Sequence, residues 1–589
     1  MGHPAYIPHV PPPEPEGLRL RVRDELDARR KLAQRDPMPM ILSGAVESAL
    51  DDLLYYTEPA AFRQLASMLR SNLVSAFVTA THNEQSHMLR FSAEMAIRLG
   101  SAIPAWNLSH ERANPNALSP TEVHRIAGDF RGLVAELARH SSAAKDSLLD
   151  TWRAETASRY RAEKAEDPAE EAFRFVGSSI SAYIEAMGGA VMSSNLRRIA
   201  DMRWAGSTRT EISNDYAAFL PYMLLLGASF VTCNPPLVDL AWKAEPGLWD
   251  PVVDRVIDSH PNADPDDLAL SVTLEIVLAN MLRLRPIFLL TGGCMGFVSL
   301  QVNPGRHEDA ASMIRDARLI HRRLQIRLNG GVPNVVFKLP ATSAGLEACA
   351  ALVSEAIGVN ITVNFGLFQH LAFANTIRHG NAPLGVLSHM SGRLAYPIRD
   401  ELLGKLGELS KLGVSESKAR QAAAWSGVAV LKRLHCSLQR RNTDLGRIRP
   451  LIASLRVYEG EAYTGLPSPI PDITEAIGTG ILTVFPNVRR AFDRLSIATL
   501  DGQRIDTPVP DEVLGVLRHS EIFKQAYWLG PLATSGESDS PELRPSRPIS
   551  LADREATAAW TPAENTLSEF VKAYDSFVER ILTRQQRAG

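Results

Sequence analysis

NVVFKLPAT (residues 334–342) and GVNITVNFG (358–366) are β-rich runs separated by SAGLEACAALVSEAI (343–357), which is long enough for one helix. A strand, a helix and a second strand of this size make a parallel βαβ unit. Working outward, RTEISND (209–215), ASFVTCNP (228–235), GFVSLQVNP (296–304), GVLSHMSGR (385–393), LIASLRV (451–457) and GILTVFPNV (480–488) are runs of the same kind. Eight strands at helix-sized intervals close most naturally as a (β/α)₈ barrel. The long intervals before 296 and after 393 are expected to hold extra helices.

Strand residues alternate between faces. In 334–342, Val335, Phe337 and Leu339 would pack on outer helices, while Val336, Lys338 and Pro340 point into the barrel. In 358–366, Ile361, Val363 and Phe365 face out, and Asn360, Thr362 and Asn364 face in. Ser299, Gln301 and Asn303 share the inward face of 296–304, as Ser454 and Arg456 do in 451–457. A barrel without a site would fill these places with branched apolar residues. Desolvation lowers the pKa of a lysine among such walls, and a neutral amine can attack a carbonyl. A lone strand lysine reads first as half of a buried ion pair; its neighbours favour the nucleophile.

The neighbours resemble the transaldolase family. NVVFKLPATSAGLEA (334–348) is similar to that family's stretch around its Schiff-base lysine, and GVNITVNFGLFQ (358–369) to the strand after it. VTCNPPLV (231–238), VSLQVNP (298–304), SHMSGR (388–393), ASLR (453–456) and ILTVFPNV (481–488) resemble its second, third, sixth, seventh and eighth strands, in order. SEFVKAYDSFVERIL (568–582) resembles its terminal helix, which folds back across the barrel. The resemblance covers roughly 206–589.

It implies transfer of a dihydroxyacetone unit between sugar phosphates or related aldehydes. Lys338 matches the amine and Thr362 the hydroxyl that orients a catalytic water. Asn234 and Ser388 match groups that hydrogen-bond the dihydroxyacetone portion, with Asn360 beside them. Arg393, Ser454 and Arg456 match a phosphate clamp, for which forked guanidinium donors are suited. No cofactor and no metal are implied, because the iminium is the electron sink. The chain departs from the family at Gln301, where the family has a glutamate that moves protons through water. An amide cannot do this at neutral pH. For the first-strand acid, Glu211 and Asp215 both stand near the right place. The alternatives are a Schiff-base aldolase acting on a specialised substrate and a non-catalytic sugar-phosphate-binding barrel.

The rest of the chain divides by composition. Residues 1–40 begin Pro-rich and become charged, reading as a flexible arm that ends towards a helix; 41–205 are helical, with no recognisable motif. Phe62, Leu65, Leu69, Leu73 and Phe77 form one helix face, and Thr81 with Glu84 has capping-box spacing. The barrel is assigned to 206–533, a linker to 534–560 and a terminal amphipathic helix, starting at Thr561, Pro562 and Glu564, to 561–589. With 63 Lys+Arg against 66 Asp+Glu among 589 residues, nothing points to nucleic acid or a membrane as partner; a sugar phosphate is the expected ligand and a homodimer the assembly carried forward. Cys233, Cys294, Cys349 and Cys436 form no CxxC and have mostly apolar neighbours, so buried thiols and a cytoplasmic location are expected. The N-terminus lacks an apolar signal-peptide core. His82, Glu84 and His87 lack the spacing of a zinc helix.

Overall fold

The computed structural model describes residues 16–101 and 118–588. Eight parallel strands form a closed barrel in sequence order: β1 Glu211–Asn214, β2 Ala228–Cys233, β3 Phe297–Gln301, β4 Val335–Pro340, β5 Gly358–Asn364, β6 Gly385–Met390, β7 Ile448–Ala453 and β8 Ile481–Val484. β1 pairs with β2 on one side and β8 on the other, so the sheet has no edge. The long intervals hold Pro235–Ala244, Pro246–Ser259 and Pro265–Leu290 before β3, and Ser391–Gly404, Leu406–Leu409 and Glu416–Arg440 after β6.

Two irregularities turn polar groups towards the axis. Ile212 faces Ala228 but Ser213 faces Phe230, so Ser229 is an extra, bulged residue. Ser229 and Thr232 thereby reach acids at the two ends of β1, Glu211 in the strand at 2.7 Å and Asp215 just beyond it at 2.6 Å. In β5 the predicted alternation breaks after Thr362. The register with β6 shifts between Ile361 and Asn364, and Val363 has φ 53°. A β-branched residue seldom adopts that conformation. The neighbouring packing must therefore hold Val363 in place, directly beside Thr362.

β7 also differs from expectation. It starts at Ile448 and ends at Ala453, and Ser454 takes φ 62°. Ser454 and Arg456 therefore lie on the loop beyond the strand instead of sharing its inward face. Gly392 donates to the Ser454 carbonyl at 3.2 Å, and a Cβ at 392 would come within 2.3 Å of that oxygen. Only glycine permits this approach, which draws the helix start carrying Arg393 and the loop carrying Arg456 together.

Within the segment read as a flexible arm, Glu16–Leu32 is a helix. Leu18 and Val22 are buried, and Glu25 accepts from Arg285 Nε at 2.8 Å. Apolar burial and an ion pair thus fix that part of the arm, while the Pro-rich start lies outside the described residues. The predicted helix face is present in Pro59–Phe77, where Phe62, Leu69, Leu73 and Phe77 are buried and Leu65 half-buried. Thr81 and Glu84 form the capping box. The helical region docks on the barrel through charge. Glu163 meets Arg489 and Arg490, and Asn195 binds the end of Pro486–Asp493. Cys233 and Cys349 are buried as expected, but Cys294 is only half-buried and Cys436 is exposed on a helix.

The polar segment 534–560 is pinned to Glu416–Arg440: Arg433 reaches Asp539 at 2.7 Å and Arg441 reaches Glu537 at 2.8 Å. Its end buries Trp560 against Phe365 and Phe368. That anchors the helix Thr561–Ala588, which buries Leu567, Phe570, Phe577 and Ile581. Glu569 pairs with Arg393 after β6, and Arg580 lies over Trp242 after β2. These contacts are on opposite sides of the strand ring, so the helix crosses the C-terminal mouth. Among the described residues no helix is long and apolar enough to cross a membrane.

Candidate functional site

Lys338 stands on β4 between Gln301 of β3 and Asn360 of β5. It is 5% exposed. Burial lowers its pKa; Asp215 and Cys233 act the other way, and Arg393 adds to the lowering. Among the described residues no carboxylate salt-bridges it. The buried-ion-pair reading of this lysine therefore has no partner to stand on. Cys233, one strand further, is itself pushed up to about 12 by burial, so its thiol stays protonated.

The two acids considered for β1 are far apart in role. Glu211 opens the strand, at the opposite end from the strand C-termini. Its carboxylate takes Arg449 at 2.6 Å and Ser229 at 2.7 Å, which closes the barrel floor. Asp215 follows the end of β1, accepts from Thr232 and lies within the field of Lys338. Thr232 also meets Thr483 at 2.9 Å, which in turn meets Ser213 at 2.9 Å. A chain of hydroxyls thus holds the Asp215 carboxylate in one orientation.

Below Lys338 the inward groups satisfy one another. Ser388 donates to Asn360 Oδ1 at 2.6 Å, and Asn360 donates to Ser299 at 2.8 Å. Thr362 Oγ1 lies 3.7 Å from Met390 Sδ, a soft contact that leaves the hydroxyl able to hold a stronger partner. Asn234 caps the helix Pro235–Ala244 by accepting from Leu237 N at 2.9 Å, so the first-turn proline of the sequence motif has a structural reason. Asn234 and Gln301 both line a cavity of about 290 Å³. Gln301 Oε1 is buried and has no hydrogen-bond partner.

At the mouth, both Arg393 nitrogens hold the Glu569 carboxylate, with the guanidinium 5.3 Å over Phe570. Hydrogen bonding from Arg393 keeps the Glu569 carboxyl below its usual range, with Arg456 adding to the effect. Arg456 lies over Tyr396, and its Nε is buried without a partner. Its backbone N–H donates to Asp472 at 2.9 Å. Asp472 also takes Ser391, and burial pushes its carboxyl up to about 6.

The structure therefore gathers Lys338, Gln301, Thr362, Asn360, Ser388 and Asp215 inside the barrel, with Arg393 in the first turn of the helix Ser391–Gly404 and Asn234, Ser454 and Arg456 at strand ends around its mouth; Glu211 is elsewhere. Sequence reasoning missed Thr232, Asp472 and Glu569. Thr232 was legible as the hydroxyl inside VTCNPP, whereas Asp472 and Glu569 carry no local signal and are recruited through space.

Residues 221–497 match the sequence model of the Transaldolase/Fructose-6-phosphate aldolase family. That segment begins after β1 and ends before the helix across the mouth. A transaldolase of Neisseria meningitidis serogroup C / serotype 2a is 28% identical over 206 residues, 32% of this chain and 55% of the relative. One of Neisseria gonorrhoeae is 32% identical over 201 residues, again 55% of its length. Transaldolase 1 of Streptomyces avermitilis is 29% identical over 181 residues, 30% of this chain and 45% of the relative. The chain spans about half the length of the curated relatives it matches. From β2 to β8, the chain is therefore similar in sequence to the transaldolase/fructose-6-phosphate aldolase family.

Proposed function

We propose that this protein transfers a dihydroxyacetone unit from a ketose phosphate to an aldehyde through a Schiff base on Lys338. The observation that carries the reading is the desolvated, unpaired ammonium of Lys338 inside the barrel, in the field of the Asp215 carboxylate. The neutral amine adds to the ketose C2 carbonyl, and the carbinolamine loses water to give an iminium. Asp215 then takes the C4 hydroxyl proton while the C3–C4 bond breaks. The bonding electrons move into the iminium and leave an enamine, and the shortened aldehyde departs. An acceptor aldehyde takes the enamine carbon by the reverse steps, and water releases the product. Thr362 orients that water, and Asn234, Asn360 and Ser388 hold the hydroxyls of the transferred unit. A cytoplasmic location accompanies this reading, because four cysteines in 589 residues require no oxidising compartment.

Arg393, Ser454 and Arg456 would hold the phosphate. Glu569 pairs with Arg393, but its side chain is 58% exposed. An exposed ion pair is worth only about 0–1 kcal/mol, so a phosphate dianion facing two arginines displaces it. Replacing either Arg393 or Arg456 with Ala is expected to weaken binding of a phosphorylated ketose by about 1.5–3 kcal/mol, with little effect on the unphosphorylated sugar. Calorimetry with both ligands checks this, and equal losses for the two would remove the clamp from these residues.

The pH dependence of amine addition tests the electrostatics. Burial favours the neutral amine, so the midpoint for trapping dihydroxyacetone on Lys338 should lie below the free lysine value of about 10.4, with trapping faster as pH rises. Asp215 stabilises the ammonium, and Asp215→Asn should lower the midpoint further while slowing C3–C4 cleavage. A midpoint at the free lysine value, or one that Asp215→Asn leaves in place, contradicts the account. Borohydride reduction with a ketose phosphate, followed by peptide mass, tests the function itself.

A further inference from the structure

The two arginines assigned to the phosphate come from separate elements, Arg393 in the first turn of the helix Ser391–Gly404 and Arg456 beyond the end of β7. Two such side chains grip one phosphate only if the elements that carry them keep a fixed spacing. The backbone supplies one link, from the Gly392 N–H to the Ser454 carbonyl. The Arg456 stem lies on the same glycine, where a Cβ would come within 2.5 Å of its Cγ. Its guanidinium lies 5.1 Å from the centre of the Tyr396 ring. Arg456 is thus laid along the helix that carries Arg393.

Asp472 joins the two halves from a third element, the short helix Pro471–Thr474 before β8, and is fully buried. Its Oδ1 accepts from Ser391 Oγ, in the turn that carries Arg393, and its Oδ2 accepts from the backbone N–H of Arg456 at 2.9 Å. Burial pushes its carboxyl up to about 6, so at neutral pH it is ionised and takes both donors. Ser391 is held in turn by the long helix Glu416–Arg440. Gly427 of that helix faces it so closely that a Cβ there would come within 2.0 Å of Ser391 Oγ. An acid behind a phosphate site repels the ligand and is costly to desolvate, so its charge does not explain its place. The two donors that it takes do.

This inference rests on the Schiff-base and clamp reading above. We propose that Asp472 is a positioning residue for phosphate: it fixes the spacing of Arg393 and Arg456 and through them sets the preference for a phosphorylated over an unphosphorylated ketose. It acts through the arginines and touches no substrate atom. Its loss leaves Ser391 Oγ and the Arg456 N–H without their acceptor and unties the loop from the helix start. Lys338, on β4 between Gln301 and Asn360, keeps its neighbours.

The test traps D-fructose 6-phosphate or D-fructose on the full-length protein with borohydride and reads half-saturation by intact mass. In Asp472→Ala the half-saturating concentration of D-fructose 6-phosphate is expected to rise about tenfold, with that of D-fructose within about twofold of wild type. Asp472→Asn keeps an acceptor for the Arg456 N–H, and Ser391 Oγ can turn to accept from its amide, so it should recover most of the loss. Gly427→Ala displaces Ser391 from a distance and should raise the value for the phosphorylated sugar alone, by about threefold. Equal losses for the two sugars in Asp472→Ala, no loss for either, or an Asp472→Asn as poor as Asp472→Ala overturns the positioning role. If Asp472→Ala does not fold, Asp472→Asn and Gly427→Ala decide: a preference for phosphate left unchanged by Gly427→Ala, or lost in Asp472→Asn, overturns it. Wild-type protein that traps both sugars at the same concentration overturns the clamp, and no adduct with either sugar overturns the Schiff-base reading; the proposal falls with each.

Discussion

Lys338→Met is expected to abolish turnover of every ketose while leaving the fold intact. The cycle proposed above has no step that another group can start. Cys233, two strands away, is held protonated by burial, and no other described lysine lies on a barrel strand. Removing a covalent nucleophile acts on the scale of roughly 10⁴–10⁶ in kcat. Stability should move the other way, because methionine fills the space without a charge that must be kept out of water. The sign follows from linkage. The folded-state pKa of Lys338 is below the unfolded value, so the unfolded chain binds more protons between the two and wild-type stability rises with pH there. The gain from Lys338→Met is therefore largest below the folded pKa and fades towards the unfolded value. A variant that unfolds at neutral pH, or that keeps more than about one-hundredth of wild-type kcat, contradicts the assignment.

Gln301→Glu is the second large effect. Dehydration of the carbinolamine and hydrolysis of the iminium both move protons through water, and the amide at 301 can only hydrogen-bond. General acid–base assistance is worth about 10²–10⁴-fold. Placing a carboxyl on β3 next to Lys338 is therefore expected to raise the turnover of fructose 6-phosphate with erythrose 4-phosphate towards that factor. Rapid turnover of this pair by the unmodified protein would show that the relay is already complete, with Asp215 as the acid to examine next. Loss of a robust native activity in Gln301→Glu would assign the amide to substrate recognition.

The barrel was legible because strand and helix periods differ and alternate along 206–488. Inward Lys338, Thr362, Gln301 and Asn360 were legible for the same reason, since each lies on a regular stretch of strand. Legibility failed where the backbone leaves the regular ladder. Ser454 and Arg456 look like strand residues, yet a left-handed Ser454 ends β7 before them. Asn364 follows the strained Val363, so its facing could not be counted from Thr362. Glu211 and Asp215 share a face by alternation and differ in that Glu211 opens a four-residue strand and Asp215 follows its end. Helix Glu16–Leu32 was hidden by its charge, because the apolar face is only Leu18, Val22 and the half-buried Leu26, and its ion-pair partner Arg285 is remote in sequence.

The central claim is a covalent bond between Lys338 and a ketose. The most direct measurement is reduction of the full-length protein with borohydride in the presence of D-fructose 6-phosphate, followed by peptide mapping. The account predicts one reduced three-carbon adduct, on the peptide spanning 334–348, and none without borohydride. An adduct on a different lysine, or one that persists in Lys338→Met, would contradict it.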